Sequence, residues 1–355
     1  MRIKDLDFLR GIAVLLVVFF HYPLVPYLEK TGYAGVDLFF VLSGFLISGL
    51  LFREQEKFGD VKPIRFLIRR GFKIYPLFYF FIFLTLAACF FYGDKINIAY
   101  IFTEITFTRN FLGGFWVHTW TLCVEEHFYF SIAFLMFYIK REKWMNVKKV
   151  NRAFIFFFLF SIVIELFNVM CENHIARNYF FNEWARRVQT QYCFDSLLYG
   201  VFISYHYRFN RQKLLLLLQR FRIPLLLFSI AGALILPLYK IPYFNPIKDA
   251  LLYVSYGNIL LLLITGTINL NHFHVFPPWN WLVTLISSTG VYSYSIYLFH
   301  VFIREMVMDR YENLSSLPYA FWIYVALSIA SAVIFSKIIE FPMLKIRDRY
   351  FPARS

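Results

Sequence analysis

Apolar residues occur in long runs along almost the whole chain, separated by short polar stretches. Many of the runs approach or exceed the ~18 residues that a helix needs to cross a bilayer. Ten can be drawn, at residues 8–27, 35–52, 74–92, 120–139, 153–171, 191–207, 223–239, 249–269, 286–308 and 319–337. The pattern predicts an all-α integral membrane protein with about ten transmembrane helices. We expect a single transmembrane domain over residues 1–355, with its core at about residues 6–349.

The lysine and arginine residues are distributed unevenly between the polar stretches. With a cytoplasmic N terminus, loops that alternate across the membrane place 26 of the 36 basic residues on the cytoplasmic side. Such a bias orients helical membrane proteins. An even number of spans then predicts that both termini are cytoplasmic, including a short basic tail at residues 350–355. The stretch 270–285 contributes no basic residue, so the ninth span has the least support.

The composition excludes a soluble protein and argues against nucleic-acid binding. Charged residues make up 16% of the chain and hydrophobic residues 59%, whereas globular chains carry about 25% charged residues. The formal net charge of +14 would suit nucleic acid, but the basic residues lie in short loops, where they set the topology. The four cysteines show neither CxxC nor zinc-ligand spacing, so no metal site is expected. Nucleotide-binding, hydrolase and zinc-protease motifs are absent as well.

The first apolar run contains two ionisable residues, Arg10 near its start and His21 well inside it. They are eleven positions apart, which is about three helical turns, so both side chains leave the same helix face about 16 Å apart. Ionisable groups inside a membrane are costly and face a protein interior or a wet cavity. The spacing predicts a functional face with a cation near one membrane surface and an imidazole deeper in.

Carboxylates and a serine recur at the predicted depth of His21. Asp37 and Ser43 bracket that depth on the second predicted helix, and Glu125 and Glu126 reach it at the start of the fourth. A carboxylate beside an imidazole orients the ring and suits a general base. Other interpretations are open: Asp37 as a helix cap, Ser43-Gly44 as a close helix contact, and the glutamates as solvated residues favoured by the helix dipole.

Basic residues ahead of the third predicted span share one helical face. Arg65, Arg69 and Lys73 follow i, i+4, i+8 spacing, with Arg70 alongside. Four cations at a membrane entry suit the binding of phosphates. The alternative is a topology signal that contacts lipid headgroups.

Further ionisable residues lie within or beside later runs. Asp195, Tyr297 and His300, like Ser43, are candidates either for substrate contact or for structural packing. For His300 the structural alternative is open because a lone histidine on an apolar helix is more often a packing residue. Glu340-Phe341-Pro342 closes the last predicted span. There we expect the proline to end the helix and the carboxylate to meet nearby cations.

Together these segments resemble the acyltransferase-3 family of integral membrane O-acyltransferases, from Leu6 to about Arg349. Each motif is weak alone, but seven in the same order are specific. They are Arg10-x10-His21, residues 35–47, Arg69-Arg70-x-x-Lys73-Ile74-x-Pro76, residues 120–129, Phe194-Asp195-x-Leu197, residues 293–300, and Glu340-x-Pro342.

The resemblance implies a bacterial cytoplasmic (inner) membrane enzyme that takes an acyl group, usually acetyl, from cytoplasmic acetyl-CoA or another acyl-CoA. The acceptor would be a hydroxyl of an extracytoplasmic glycan, such as lipopolysaccharide O-antigen, capsule or exopolysaccharide. The family's arginine–histidine pair corresponds to Arg10 and His21, and its basic triplet to Arg69, Arg70 and Lys73. The triplet commonly ends in arginine, and lysine binds phosphate only as a point charge. Many relatives carry an esterase-like domain after the last span, so a separate esterase-like partner is expected if this chain does not acylate its acceptor directly.

Depth along the helices suggests a mechanism. Arg10, Arg69, Arg70 and Lys73 would hold the phosphates of coenzyme A at the cytoplasmic mouth, and His21 would deprotonate the acceptor hydroxyl. Glu125 or Glu126, with Asp37, would orient the imidazole. A covalent acyl-histidine is a variant of this scheme. The competing class is a proton-coupled transporter of a glycan or an organic acid, which would use the same residues as a relay.

Overall fold

The computed structural model describes residues 4–22, 24, 26–138, 146–175, 188–238, 246–268, 270 and 277–354. That part of the chain is helical and contains no strand. Its helices of ten or more residues are α1 (Lys4–His21), α2 (Ala34–Phe58), α3 (Pro63–Tyr92), α4 (Trp120–Tyr138), α5 (Val147–Ile175), α6 (Phe194–Phe209), α7 (Arg211–Arg220), α8 (Arg222–Ile235), α9 (Pro246–Ile264), α10 (Pro277–Val291), α11 (Ser293–Ile303), α12 (Ala320–Phe335) and α13 (Phe341–Tyr350).

Each of the ten predicted runs overlaps helix in the described chain, so the all-helical class is confirmed. Four helices are long and apolar enough to cross a membrane, or up to six when each sharply bent pair counts as one span. α1 has 18 residues but carries Lys4, Asp5, Asp7 and Arg10. The number of ten spans and the side of the termini stay predictions.

The ninth predicted run is not one straight helix. α10 ends at Val291, and the next helical segment, from Ser293 to Met308, leaves at an angle of 80°. Gly290, just before the bend, allows α10 to lie directly against α1, because a Cβ there would be 1.7 Å from the carbonyl oxygen of Asp7. Beyond the bend, α11 joins a hydrophobic cluster with Val14 and Val17 of α1. The bend therefore places both halves against α1.

The prediction that Pro342 ends the last helix is wrong. The chain passes from α12 through a π-helical segment, Ser336–Glu340, into α13, which continues to Tyr350. Proline lacks an N–H and clashes within a regular helix, but it is tolerated in the first turn of a helical segment. Pro342 occupies that position in α13, and the wider π-helical turn precedes it.

Glycine allows α2 and α6 to pack backbone against backbone. A Cβ on Gly44 would lie 2.0 Å from the carbonyl oxygen of Leu197, and one on Gly200 would lie 2.2 Å from that of Val41. Small residues permit this approach between membrane helices. The alternative interpretation of Gly44 as a close helix contact is confirmed. Ser43 lies beside this contact, with its hydroxyl 3.1 Å from that of Tyr129 on α4.

Candidate active site

Three cavities follow one another through the bundle. The basic cavity, of about 360 Å³, is lined by Arg10, Arg53, Arg70 and Lys73 among others. The histidine cavity, of about 300 Å³, is lined by residues that include His21 and His118. Val36 and Tyr297 line both of these cavities. A third space, the tail cleft, has about 270 Å³ and shares Leu50 and Arg70 with the basic cavity.

The imidazole of His21 lies against that of His300. Nδ1 of His21 is 3.2 Å from Nε2 of His300 and 2.9 Å from the carbonyl oxygen of Val17. Nδ1 of His300 lies 2.6 Å from the carbonyl oxygen of Tyr297. A carbonyl oxygen only accepts, so in the neutral rings both Nδ1 atoms carry the proton, and Nε2 of His300 accepts from His21.

This pattern leaves Nε2 of His21 as the unprotonated nitrogen. It has no hydrogen-bond partner among the described residues, and His21 lines the histidine cavity. An imidazole in this state can accept a proton from a group in the cavity. His300 therefore orients the ring, a role that its position in the sequence left open.

His118, which the sequence reasoning missed, is the third imidazole of the site. Its ring centroid lies 5.1 Å from that of His300, and Nε2 donates to the carbonyl oxygen of Leu298 at 3.1 Å. Nδ1 is buried and has no hydrogen-bond partner in the described chain. Burial lowers the pKa of His118 well below its ordinary value, so the ring is neutral at pH 7. It precedes α4, and no helical periodicity marks it as buried.

The rest of the histidine cavity combines charge and aromatic surface. Asp37 lines it, as the depth estimate predicted, together with Tyr33 and Trp120. Arg304 also lines it and was not singled out from the sequence. Its side chain is 37% exposed, and its Nε lies 3.7 Å from Asp309. Arg304 begins a π-helical turn, a feature that is frequent at functional sites.

Glu125 and Glu126 do not lie beside His21. Glu125 lines the basic cavity and accepts a hydrogen bond of 2.9 Å from Tyr129, whose hydroxyl accepts one of 3.1 Å from Ser43. Glu126 accepts from the hydroxyl of Tyr75 at 2.8 Å. Both carboxylates thus lie on the side of the cations.

The difference from the expected depth has a structural cause. The depth of the two glutamates was counted from an outer edge at Trp120. However, the preceding residues Trp116, His118 and Thr119 are buried, so α4 begins inside the bundle. His118 occupies the place beside the imidazoles that the sequence reasoning assigned to a glutamate.

The predicted phosphate-binding cations divide into two groups. Arg10, Arg70 and Lys73 line the basic cavity, whereas Arg69 lines the tail cleft. Arg10 lies 3.8 Å from Asp7 on the same helix. Arg70 makes no hydrogen bond and no ion pair within the described chain, and its only ring contact there is with Phe66, at 5.6 Å. Its guanidinium is therefore available to a ligand in either space.

Lys73 forms an ion pair with Glu340, as expected for a carboxylate meeting cations at the end of the last predicted span. Glu340 is buried, and its second oxygen accepts from Ser295 at 2.9 Å and from Ser336 at 3.0 Å. These bonds connect α3, α11 and the π-helical segment at one point. The charge of Lys73 is thus compensated within the protein, unlike that of Arg70.

Asp195 is not among the lining residues of the three cavities. It is buried on α6, where its Oδ1 accepts from the backbone N–H of Ser196 at 2.7 Å. In the described part of the chain, no group of three or more His, Cys, Asp or Glu side chains is placed to hold a metal ion.

Comparison with known proteins gives a consistent result. The family model described as "Acyltransferase domain" matches residues 3–339. A Staphylococcus aureus (strain COL) protein named "Putative O-acetyltransferase" is 25% identical over 97% of this chain and 57% of its own length. The peptidoglycan O-acetyltransferase OatA of Listeria monocytogenes is 27% identical over 97% of this chain and 56% of its own length. The chain thus spans little more than half the length of these relatives. No solved structure matches it.

Proposed function

Because the chain belongs to the acyltransferase family whose model matches residues 3–339, we propose that it transfers an acetyl group from cytoplasmic acetyl-CoA to a hydroxyl of an extracytoplasmic glycan. The relatives named as O-acetyltransferases support the reaction class. One of them is named a peptidoglycan O-acetyltransferase. Peptidoglycan is therefore a candidate acceptor in addition to O-antigen, capsule and exopolysaccharide. The end of the helix bundle that carries the basic cavity would face the cytoplasm, with the protein in a bacterial inner membrane.

The observation that carries the proposal is the meeting of two chemically different cavities at Val36 and Tyr297. The basic cavity suits a phosphate-bearing donor, because Arg10, Arg53 and Arg70 are among its lining residues and guanidinium groups bind phosphate. The histidine cavity suits an acceptor hydroxyl, because Nε2 of His21 is an available base there. Donor and acceptor would therefore meet at one point inside the membrane, with no need to transport either molecule.

In this scheme Nε2 of His21 takes the proton of the acceptor hydroxyl while its oxygen attacks the thioester carbon. The C–S bond then breaks, and the proton that Nε2 of His21 took from the acceptor passes to the leaving thiolate, which gives free coenzyme A and restores the neutral imidazole. Nδ1–H of His21 stays bonded to Val17 and His300 throughout, which fixes the direction of Nε2. Asp37 in the same cavity would accept hydrogen bonds from sugar hydroxyls.

On the donor side, Arg70 and Arg10 would contact the pyrophosphate of coenzyme A. Glu125 and Glu126 would belong to the donor side as well. Glu125 lines the basic cavity, and Glu126 accepts a hydrogen bond from Tyr75 on α3. Both carboxylates would help to hold the cations of the basic cavity in position. Lys73 would contribute less binding energy than Arg70, because Glu340 already compensates its charge.

The test uses the full chain in lipid nanodiscs, with labelled acetyl-CoA and cell-wall or membrane glycan as the acceptor. We expect label in the glycan and free coenzyme A, both lost in His21→Ala. His206→Ala is the matched control, because His206 bonds to Asn151 on α5 and lines none of the three cavities. Transfer that persists in His21→Ala would refute the role of the base. In proteoliposomes, which separate two compartments, glycan that crosses the membrane without gaining mass would favour the transporter instead.

A further inference from the structure

The histidine cavity contains a positively charged side chain that the reaction scheme above does not use. Arg304 is the only arginine or lysine among the described residues that line this cavity, and Asp37 is the only carboxylate among them. The remaining lining residues are valines, aromatic residues and histidines. A cation in the cavity of the catalytic base can contact the acceptor, so its role depends on which of its N–H groups the protein already uses.

The helical backbone places Arg304 near the catalytic base. Arg304 follows His300 by four residues, so the two side chains are neighbours on one helical face, about 6 Å apart along the axis. The imidazole of His300 in turn lies against that of His21, with 4.8 Å between the ring centroids. A wide turn begins at Arg304, whose carbonyl oxygen accepts from the backbone N–H of Asp309 at 2.8 Å. Arg304 therefore lines the cavity about one helical turn from the histidine pair.

The protein itself uses little of the hydrogen-bonding capacity of Arg304. Its Nε lies 3.7 Å from Oδ2 of Asp309, which is an ion pair but is too long for a hydrogen bond. The side chain makes no hydrogen bond and no second ion pair with any described residue, including Asp37 of the same cavity. Asp309 is itself 49% exposed, and an ion pair between solvated side chains contributes little. A guanidinium carries five N–H donors, so Arg304 can bind an anion that enters the cavity.

We propose that Arg304 binds a carboxylate of the acceptor, so that the substrate is an acidic glycan whose carboxylate lies on the acetylated sugar or on the sugar next to it. The inference rests on the proposed function for the reaction and for His21 as the base. Two parallel N–H groups of a guanidinium match the two oxygens of a carboxylate. Asp37 in the same cavity would accept hydrogen bonds from hydroxyls and repel a carboxylate. The two opposite charges would therefore bind the acidic sugar in one orientation, with a hydroxyl at Nε2 of His21.

Two other roles of Arg304 predict different behaviour. An arginine that only anchors this segment at the membrane surface would affect stability and not the choice of acceptor. An arginine that donated to the developing oxyanion of the thioester would raise kcat for charged and neutral acceptors alike. Only a contact with a carboxylate makes the effect of Arg304 depend on the charge of the acceptor.

The test compares two forms of one acceptor, with the full chain in nanodiscs and labelled acetyl-CoA. Glycan from cells that lack the gene is divided, and the carboxylates of one half are converted to amides with carbodiimide and ammonia. With the wild-type protein we expect amidation to lower kcat/KM for the glycan about tenfold, mainly through KM, as the loss of a charge-assisted hydrogen bond implies. Arg304→Gln should lower transfer to the untreated glycan by the same factor, respond little to amidation and leave KM for acetyl-CoA unchanged. Arg310→Gln is the matched control, because Arg310 pairs with Asp94 and is not among the lining residues of the cavity.

The outcomes separate this inference from the proposed function. Equal transfer by the wild-type protein to both forms of the glycan would overturn the carboxylate contact and leave the proposed reaction intact. An effect of amidation that persists in Arg304→Gln, or a loss of kcat in this variant that is added equally to both forms, would also overturn it. If the wild-type protein acetylated neither form, the proposed function would fail first and this inference with it. The wild-type comparison needs no variant, so it holds even if the substitution prevents folding.

Discussion

Nε2 of His300 lies 3.2 Å from Nδ1 of His21 and accepts a hydrogen bond from it, although the two residues are 279 positions apart. The pair joins α1 to the helical segment that follows the 80° bend. It holds the unprotonated nitrogen of His21 toward the histidine cavity. The rate of transfer should depend on this contact, and the acyl selectivity should depend on Tyr297, which lines both the basic cavity and the histidine cavity.

Replacing His300 should slow transfer without abolishing it. His300→Leu removes the acceptor of the His21 proton, so we expect kcat to fall about tenfold with KM for acetyl-CoA little changed. His300→Gln keeps an acceptor oxygen and should restore most of the rate. The measurement is the pH profile of kcat in the two variants. An unchanged profile in His300→Leu, or equal loss in both variants, would show that His300 only packs.

Tyr297 should determine which acyl groups pass the junction. Its hydroxyl accepts from Thr121 at 2.7 Å and donates to the carbonyl oxygen of His118 at 2.8 Å, so the ring is fixed between the two cavities. Tyr297→Ala should raise the propionyl-to-acetyl ratio of kcat/KM about tenfold, the size of effect that one methylene has in a pocket. Tyr297→Phe keeps the ring and should keep acetyl selectivity. The idea fails if the alanine variant transfers both groups in the wild-type ratio.

Gly44→Ala should destabilise the bundle. The new Cβ would lie 2.0 Å from the carbonyl oxygen of Leu197, which belongs to a backbone and cannot rotate away. Forcing such contacts apart costs about 1–3 kcal/mol or more, so the thermal unfolding midpoint should fall by several degrees. Gly49→Ala on the same helix is the control, since its nearest atom is the rotatable Ser204 Oγ at 3.1 Å. Equal midpoints for both variants would contradict the close contact.

The ion pair of Lys73 and Glu340 should appear as coupling in a double-mutant cycle. Lys73→Gln leaves a buried carboxylate without its cation, which we expect to lower stability by about 3 kcal/mol. Lys73→Gln with Glu340→Gln removes both charges and should cost less than Lys73→Gln alone. Denaturant unfolding of the wild-type protein, Lys73→Gln, Glu340→Gln and the double variant gives the coupling energy. Strict additivity would mean that the two charges do not interact.

Local pattern was sufficient for the helices and for the cations of α3. The apolar runs predicted every long helix they covered, because a helix in a membrane must satisfy its backbone within one segment. The spacing of Arg65, Arg69 and Lys73 predicted a shared face, although neighbouring segments then divided these residues between two spaces. The helix broken at Tyr292 was missed, because its apolar run continues through the bend.

The sequence alone determined that this is a helical membrane protein with Arg10 and His21 on one face of its first helix, since both follow from short-range periodicity. Only the tertiary structure decided which groups surround that face. His300 contacts His21, and His118 contacts His300. Glu125 lies with the cations of the basic cavity, and the C-terminal residues line the tail cleft. These contacts depend on the buried loop before α4, on the bend between α10 and α11, and on helix packing at glycines. Each brings together segments that are far apart in the chain, so the local hydrophobic periodicity of the sequence does not reveal them.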